Sequence, residues 1–296
     1  MTLALLIEGP EKEEQGGLGQ WIIHHLQNTP GWTPEGLPNE WHLPFGLHIH
    51  LPTFKPIHVL GLQVDLSITL HVVMMWIASL ILILTFWLTF RKQQLVPRGM
   101  AAVLESVVLF IRDEIAIPNL GKENGKKLTP FLSTLFLFIL TMNLMGLIPL
   151  FSTATGNISV TAALAIVTFL MTQFQGMKEN GVIGYFKSLV PHGLPWPLLP
   201  IMIPIEIMGL FTKPFALAVR LYANMTAGHT VIFSLLGLII IFGGVGGAAL
   251  AGGVAPVSIG FALFINLLEL LIAFIQAYIF TMLSALFIGL AMHPEH

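Results

Sequence analysis

The 296-residue sequence contains no cysteine, and its 13 Lys and Arg with 15 Asp and Glu make up only 9% of the chain. The first absence excludes disulfides, thiolate metal sites and cysteine nucleophiles. The second excludes an ordinary soluble domain, in which about 25% of residues are charged. A net charge of −2 leaves no electrostatic basis for binding nucleic acid. Gly-rich phosphate loops, P-loops and zinc-ligand spacings are also missing, so no nucleotide, metal or other cofactor is expected. What is abundant is apolar: 55% of residues are hydrophobic and the mean hydropathy is +0.84. The expected fold class is an all-α polytopic membrane protein.

Residues 1–66 are polar to mixed, with prolines at 30, 34, 38, 44, 52 and 56. They read as an N-terminal extramembrane segment with a short hairpin around Leu47 to Val64. The first residues lack a basic stretch, a full-length apolar core and a small-residue cleavage site, so they are not read as a signal peptide. The spacing of His24, His25, His42, His48, His50 and His58 fits no defined metal site.

Residues 67–296 read as the membrane domain. Ser67 to Phe90 is about one bilayer long. Between 93 and 118, Arg98, Glu105 and Arg112 recur every seven residues while Leu104, Val108, Ile111 and Ile115 mark another face, which predicts an amphipathic interfacial helix. A charged loop, Gly121 to Lys127, leads to a second span, Leu128 to Leu150. A short turn then leads to a third, Asn157 to Met177, followed by Lys178, Glu179 and Lys187. Prolines 191, 195, 197, 200 and 204 are expected to break helix. Two long apolar stretches close the chain, Ile201 to Phe242 and Pro256 to Met292, joined by the glycine-rich linker Gly243 to Gly253. A helix of about 37 residues is roughly 55 Å long, against a hydrocarbon core of about 30 Å. The pair therefore predicts a hairpin of strongly tilted helices. About five elements cross the membrane. Lys and Arg collect in the loops on one side, making that side cytoplasmic, matrix or stromal. The N-terminus is then outside and the C-terminus inside.

The last two helices contain charges that lipid penalises. Glu206, Lys213 and Arg220 are seven apart and share a face, joined by Asn224 four residues on. His229 lies nine residues beyond Arg220, nearly opposite on an ideal helix. In the last helix Asn266, Glu269 and Gln276 share a face. A guanidinium stays charged at any working pH, and at membrane depth it costs at least about 2.5 kcal/mol, so Arg220 needs a partner. Two arrangements fit: a static Arg220–Glu269 salt bridge, or a wet proton path through His229 and Glu269. Asn266 alone fits interhelical hydrogen bonding, and Glu206 and Lys213 fit snorkelling to the interface.

The run Pro214-Phe215-Ala216-Leu217-Ala218-Val219-Arg220-Leu221-Tyr222-Ala223-Asn224-Met225-Thr226-Ala227-Gly228-His229 resembles the signature of subunit a (subunit 6) of F-type ATP synthases. Glu269 through Gln276-Ala277-Tyr278-Ile279-Phe280 resembles that family's last helix, and Asn143-Leu144-Met145-Gly146-Leu147-Ile148-Pro149 its second membrane helix. The resemblance covers about 67–292. Some bacterial members carry an acid after the Ala-Gly and a His in the last helix; the order here, His229 then Glu269, is similar to mitochondrial and other bacterial members. The resemblance implies a proton-conducting stator subunit without a catalytic site of its own, forming two offset half-channels against a rotating ring of c subunits. Its partners would be that ring, peripheral-stalk b-type subunits, the rest of the complex and the bilayer. It implies that Arg220 faces the ring carboxylates and separates the half-channels. His229 and Glu269 would relay protons, Asn224 and Gln276 would hold water and position Arg220, Glu206 and Lys213 would line the inner exit, and Asn266 would also belong to the proton path. The expected location is a bacterial cytoplasmic (inner) membrane, with the mitochondrial inner membrane as the alternative. A lone secondary transporter or channel, and a membrane scaffold, are competing classes. The lack of an internal repeat argues against the transporter.

Overall fold

The computed structural model describes residues 40–43, 47–50, 57–59, 62–64, 69–91, 97–148, 153–188 and 199–293. In the N-terminal segment two antiparallel hairpins replace the single one expected. Strands β1 (Glu40–Leu43) and β2 (Leu47–His50) pair with Glu40 opposite His50, and β3 (Ile57–Val59) and β4 (Leu62–Val64) pair with Ile57 opposite Val64. The connections, 44–46 and 60–61, have lengths typical of tight hairpins, which favour pairing between neighbours.

Helix α1 (Leu70–Phe90) is apolar all round and ends where the Arg91 guanidinium stands 5.3 Å over the Trp87 ring. Helix α2 (Met100–Phe110) begins after Gly99 at φ 61° and runs into a π-helical stretch, Ile111–Ala116, and then helix α3 (Ile117–Gly146). The apolar face read from sequence is the buried one, with Leu104, Ile111 and Ile115 in the interior. The polar register is not kept along one α-helix: Arg98 precedes the helix, and Arg112 falls in the wider π turns, where it forks onto Asp113 at 2.8 and 2.9 Å. The expected loop Gly121 to Lys127 is helical as well. Gly121 alone departs, at φ 76°, and this single positive-φ residue turns the chain while the helix resumes.

Helix α4 (Ile158–Asn180) starts where the Asn157 side chain accepts a hydrogen bond from the Ser159 backbone N–H at 2.8 Å. This N-cap satisfies a donor the helix leaves open. Asn157-Ile158-Ser159 fits a glycosylation sequon, yet its Asn is buried in the cap. A short helix α5 (Val182–Ser188) follows.

Helix α6 (Leu199–Met292) is a hairpin with one non-helical residue, Gly247, at φ 66°. Its arms are Pro200–Gly247, 48 residues, and Ala249–Met292, 44 residues. The expected glycine linker is therefore helix up to a one-residue turn. Gly246 allows that turn, because a Cβ there would lie 1.9 Å from Leu250 Cδ1. Pro204 does not stop the helix either; it and Pro214 lie inside the first arm and Pro256 inside the second. At 1.5 Å per residue the first arm measures about 72 Å, more than twice a hydrocarbon core, so the arms lie obliquely.

Among the described residues, five helical stretches are long and apolar enough to cross a membrane. Their common core brings Ile111, Ile115 and Leu120 together with Leu132 and Ile139 of α3, Leu217 and Leu221 of the first arm, and Ala277, Phe280 and Ile288 of the second. Lipid tails are as apolar as leucine, so close contact rather than water exclusion holds such helices together. The second arm meets that demand with fully buried Ala273, Ala277, Ser284 and Ala285. At Gly289 a Cβ would stand 2.2 Å from the Asn119 carbonyl oxygen, so that helix approach requires glycine. The end of the second arm is held by Asn180, whose amide donates to the Ala291 and Met292 carbonyls at 3.1 Å each. Both are carbonyls that a helix end leaves open.

Candidate functional site

The hairpin turn fixes which residues of the two arms face one another. The Lys213 ammonium stands 5.6 Å over the Phe287 ring, the Asn224 amide donates to Gln276 Oε1 at 2.8 Å, and His229 Nδ1 pairs with Glu269 Oε1. This register puts Arg220 level with Phe280. Glu269 lies eleven residues further along the second arm, about 16 Å of helix rise, beyond the combined reach of the two side chains. The static Arg220–Glu269 salt bridge is therefore absent. Glu269 is paired with His229 instead.

His229 sits at the centre of a three-element junction. Its Nδ1 meets Glu269 of the second arm. Its Nε2 lies 2.5 Å from Thr153 Oγ1, in the connection between α3 and α4, and 3.1 Å from the carbonyl oxygen of Gly146, the last residue of α3. Phe233 packs edge-on against the ring at 6.1 Å. Two glycines make the junction possible. A Cβ at Gly228 would lie 2.8 Å from Glu269 Oε1, and one at Gly146 would lie 2.9 Å from Thr153 Cγ2 and Oγ1.

The ring's proton inventory follows from its partners. A carbonyl oxygen only accepts, so hydrogen bonding to Gly146 requires a proton on Nε2. With that proton in place, the contact with Glu269 needs one more proton, carried either by Nδ1 or by the carboxyl group. The pair is thus arranged to shift a proton between an imidazole and a carboxylate, while Glu269 is only 2% exposed.

Below this pair runs a seam of buried polar groups. Gln276 is 2% exposed and Asn143 of α3 fully buried, its amide donating to the Ala273 carbonyl at 3.4 Å. Glu269 Oε2, Gln276 Nε2, Asn143 Oδ1 and Thr226 Oγ1 are buried with no hydrogen-bond partner among the described residues. Arg220 lies on the other side of the first arm. It is exposed, and among the described residues it makes no ion pair or side-chain hydrogen bond. Phe211 and Phe215 are exposed on the same arm.

The residues named from sequence thus divide. Asn224, His229, Glu269 and Gln276 are brought together. Arg220, Lys213 and Asn266 are exposed, and Glu206 is half-buried. Sequence reasoning did not assign a role to Thr153, Gly146, Gly228, Thr226 or Asn143. Gly146, Gly228, Thr226 and Asn143 carried a signal, since all four fall within the runs quoted for the family resemblance; Thr153 carried none.

A family model for the ATP synthase A chain matches residues 72–289. The chain belongs to the ATP synthase A chain family. The ATP synthase subunit a of Myxococcus xanthus (strain DK1622) is 51% identical over 265 residues, covering 87% of this chain and 85% of its own length. That of Chloroherpeton thalassium (strain ATCC 35110 / GB-78) is 52% identical over 262 residues, 86% of this chain and 73% of its own. The ATP synthase subunit a 2 of Chlorobium luteolum (strain DSM 273 / BCRC 81028 / 2530) is 47% identical over 291 residues, 97% and 79% respectively. Membership makes the chain a subunit of an ATP synthase, acting in ATP synthesis and proton transport. With its apolar helices and bacterial relatives, it is a bacterial membrane protein.

Proposed function

We propose that this chain is the proton-conducting stator subunit of an F-type ATP synthase, providing two offset half-channels against a rotating ring of carboxylate-bearing c subunits. The observation that carries this reading is the pairing of His229 with Glu269 between the two arms, while Arg220 is exposed and makes no ion pair or side-chain hydrogen bond among the described residues. An unpaired guanidinium on an apolar helix needs an anion, and a carboxylate on a neighbouring chain supplies one. Arg220 stabilises each ring carboxylate in its ionised form as it comes past. Its fixed charge also repels protons, so the half-channels stay separate. Lys is a poor replacement because it loses its proton when buried.

The seam formed by Glu269, Gln276, Asn143 and Thr226 supports a hydrated approach, since buried polar atoms are almost always satisfied by protein or water. His229 and Glu269 pass the proton along it, and Asn224 with Gln276 orders the stretch towards Arg220. Glu206 and Lys213 line the exit on the other side. Each proton crossing 100 mV releases about 2.3 kcal/mol, and this drives the ring. With the Lys- and Arg-bearing loops inside, the N-terminus is outside and the C-terminus inside. The b-type subunits of the peripheral stalk hold the chain still. The decisive test is Arg220→Ala in the whole complex in vesicles, where synthesis coupled to proton flow is expected to vanish and robust coupled synthesis would remove the assignment.

A further inference from the structure

The proton inventory of His229 leaves one state that neither Gly146 nor Glu269 can support. When Nε2 has lost its proton, it is a lone pair and needs a donor. The Gly146 carbonyl 3.1 Å away offers only another lone pair. The group that can donate there is the Thr153 hydroxyl, 2.5 Å from Nε2. A hydroxyl both donates and accepts, and it changes role by rotating about one bond. Thr153 therefore fits either protonation state of Nε2, whereas a carbonyl fits only one.

We propose that Thr153 is a positioning residue of the proton relay: its hydroxyl holds the His229 ring against Glu269 when Nε2 is deprotonated, so that the imidazole can release as well as take up its proton. The inference rests on the reading of His229 as a relay and extends it to a residue outside both long arms. Gly146 is part of the device. Its missing side chain lets Thr153 close on the end of α3, and its carbonyl stabilises the opposite, protonated state. The ionisable groups around the ring are few. Glu269 comes from the second arm and is the ion-pair partner. Helix α1 brings buried His71 one turn before Met74, which packs with Ala154 next to Thr153. Arg220, on the same arm as His229, is nine residues or about 13 Å away.

Thr153→Val keeps the branched shape and deletes the hydroxyl. In the complete ATP synthase in vesicles it is expected to lower proton-driven ATP synthesis roughly threefold to tenfold, the scale of one lost hydrogen bond. The pH dependence of the rate changes as well, because the deprotonated Nε2 then lacks the hydroxyl that donates to it. Thr153→Ser retains the hydroxyl and is expected to restore both rate and profile. A purely structural role for Thr153 would lower the yield of complex without moving the profile. If Thr153→Val does not assemble, Thr153→Ala makes the same deletion with a smaller side chain and must show the same shift. His229→Ala, measured alongside, separates the two ideas. A slow His229→Ala with an unchanged Thr153→Val overturns this inference alone, and an unchanged His229→Ala overturns the relay itself.

Discussion

Two long helical stretches of this protein, Met100–Gly146 and Leu199–Met292, are both rich in Leu, Ile and Phe and reach opposite surroundings. Ile111, Ile115, Leu120, Leu132 and Ile139 of the first are almost wholly buried. The second exposes Phe211, Phe215, Ile240, Phe261, Phe264 and Leu267, and between those side chains it displays Arg220. The first stretch is a scaffold, held by contact with other parts of the same chain. The second is a wall, its inner side closed on the scaffold and its outer side left for lipid or another chain. The difference lies in what each is packed against and not in hydrophobicity, and it separates substitutions that unfold the protein from those that stop it working.

The largest effect is expected on the wall. Arg220→Ala should abolish coupled proton transport while leaving the subunit folded, since the side chain makes no ion pair or side-chain hydrogen bond among the described residues. Vesicle ATP synthesis together with the yield of assembled complex measures both halves of that statement, and a failure to assemble would blur the scaffold–wall distinction. Two glycines sharpen it. Gly289→Ala forces a methyl onto the Asn119 backbone oxygen, and overpacking of that kind costs about 1–3 kcal/mol; the expected result is less assembled complex and a lower melting temperature. Gly228→Ala collides with the Glu269 carboxylate instead. It is expected to slow proton flux severalfold with assembly nearly normal, and equal losses of assembly in the two variants would break the comparison.

A milder effect is expected at the junction between wall and scaffold. Glu269→Gln keeps the side-chain shape and removes the ionisable group, so proton transport at neutral pH should slow; an unchanged rate would take Glu269 out of the relay. The last pair of variants bears on stability, and it ends on the smallest effect. Leu132→Ala opens a cavity in the scaffold and is expected to destabilise by at least about 2 kcal/mol. Phe215→Ala removes a side chain that is 68% exposed and should change the isolated subunit by less than about 0.5 kcal/mol. Thermal unfolding of the two variants side by side tests the division directly. If the exposed face meets the c-ring as proposed, the same Phe215 variant should hold that ring less firmly, and unchanged co-purification would take Phe215 out of the contact.

Much of the scaffold was legible in the sequence because its signals are local. The face Leu104, Ile111 and Ile115 is set by helical spacing and is the face found buried. The great length of the last two apolar helices likewise follows from composition alone. Where the reading failed, it misjudged breakers. Gly121 and Gly247 each bend the chain at a single residue, while the neighbouring glycines and Lys-rich residues stay helical, and Pro204 is carried inside a helix. Composition marks a region as breakable; which residue takes the positive φ depends on where the flanking helices must pack.

The site divides along the same line. The sequence by itself determined that Arg220 is an unusual charge in lipid, that His229 lies on the far side of its helix from Arg220, and that Glu269 and Gln276 share a face. Those statements need only the 100° step of an α-helix. Tertiary structure alone decided that Glu269 belongs to His229 and not to Arg220, because the level at which two arms meet is set by the position of the turn at Gly247. It alone brought Thr153 and the Gly146 carbonyl to the imidazole, since they lie 76 and 83 residues away in the chain. Helical periodicity fixes direction around an axis; register between helices is a packing outcome, and the His229–Glu269 pair is built across that register.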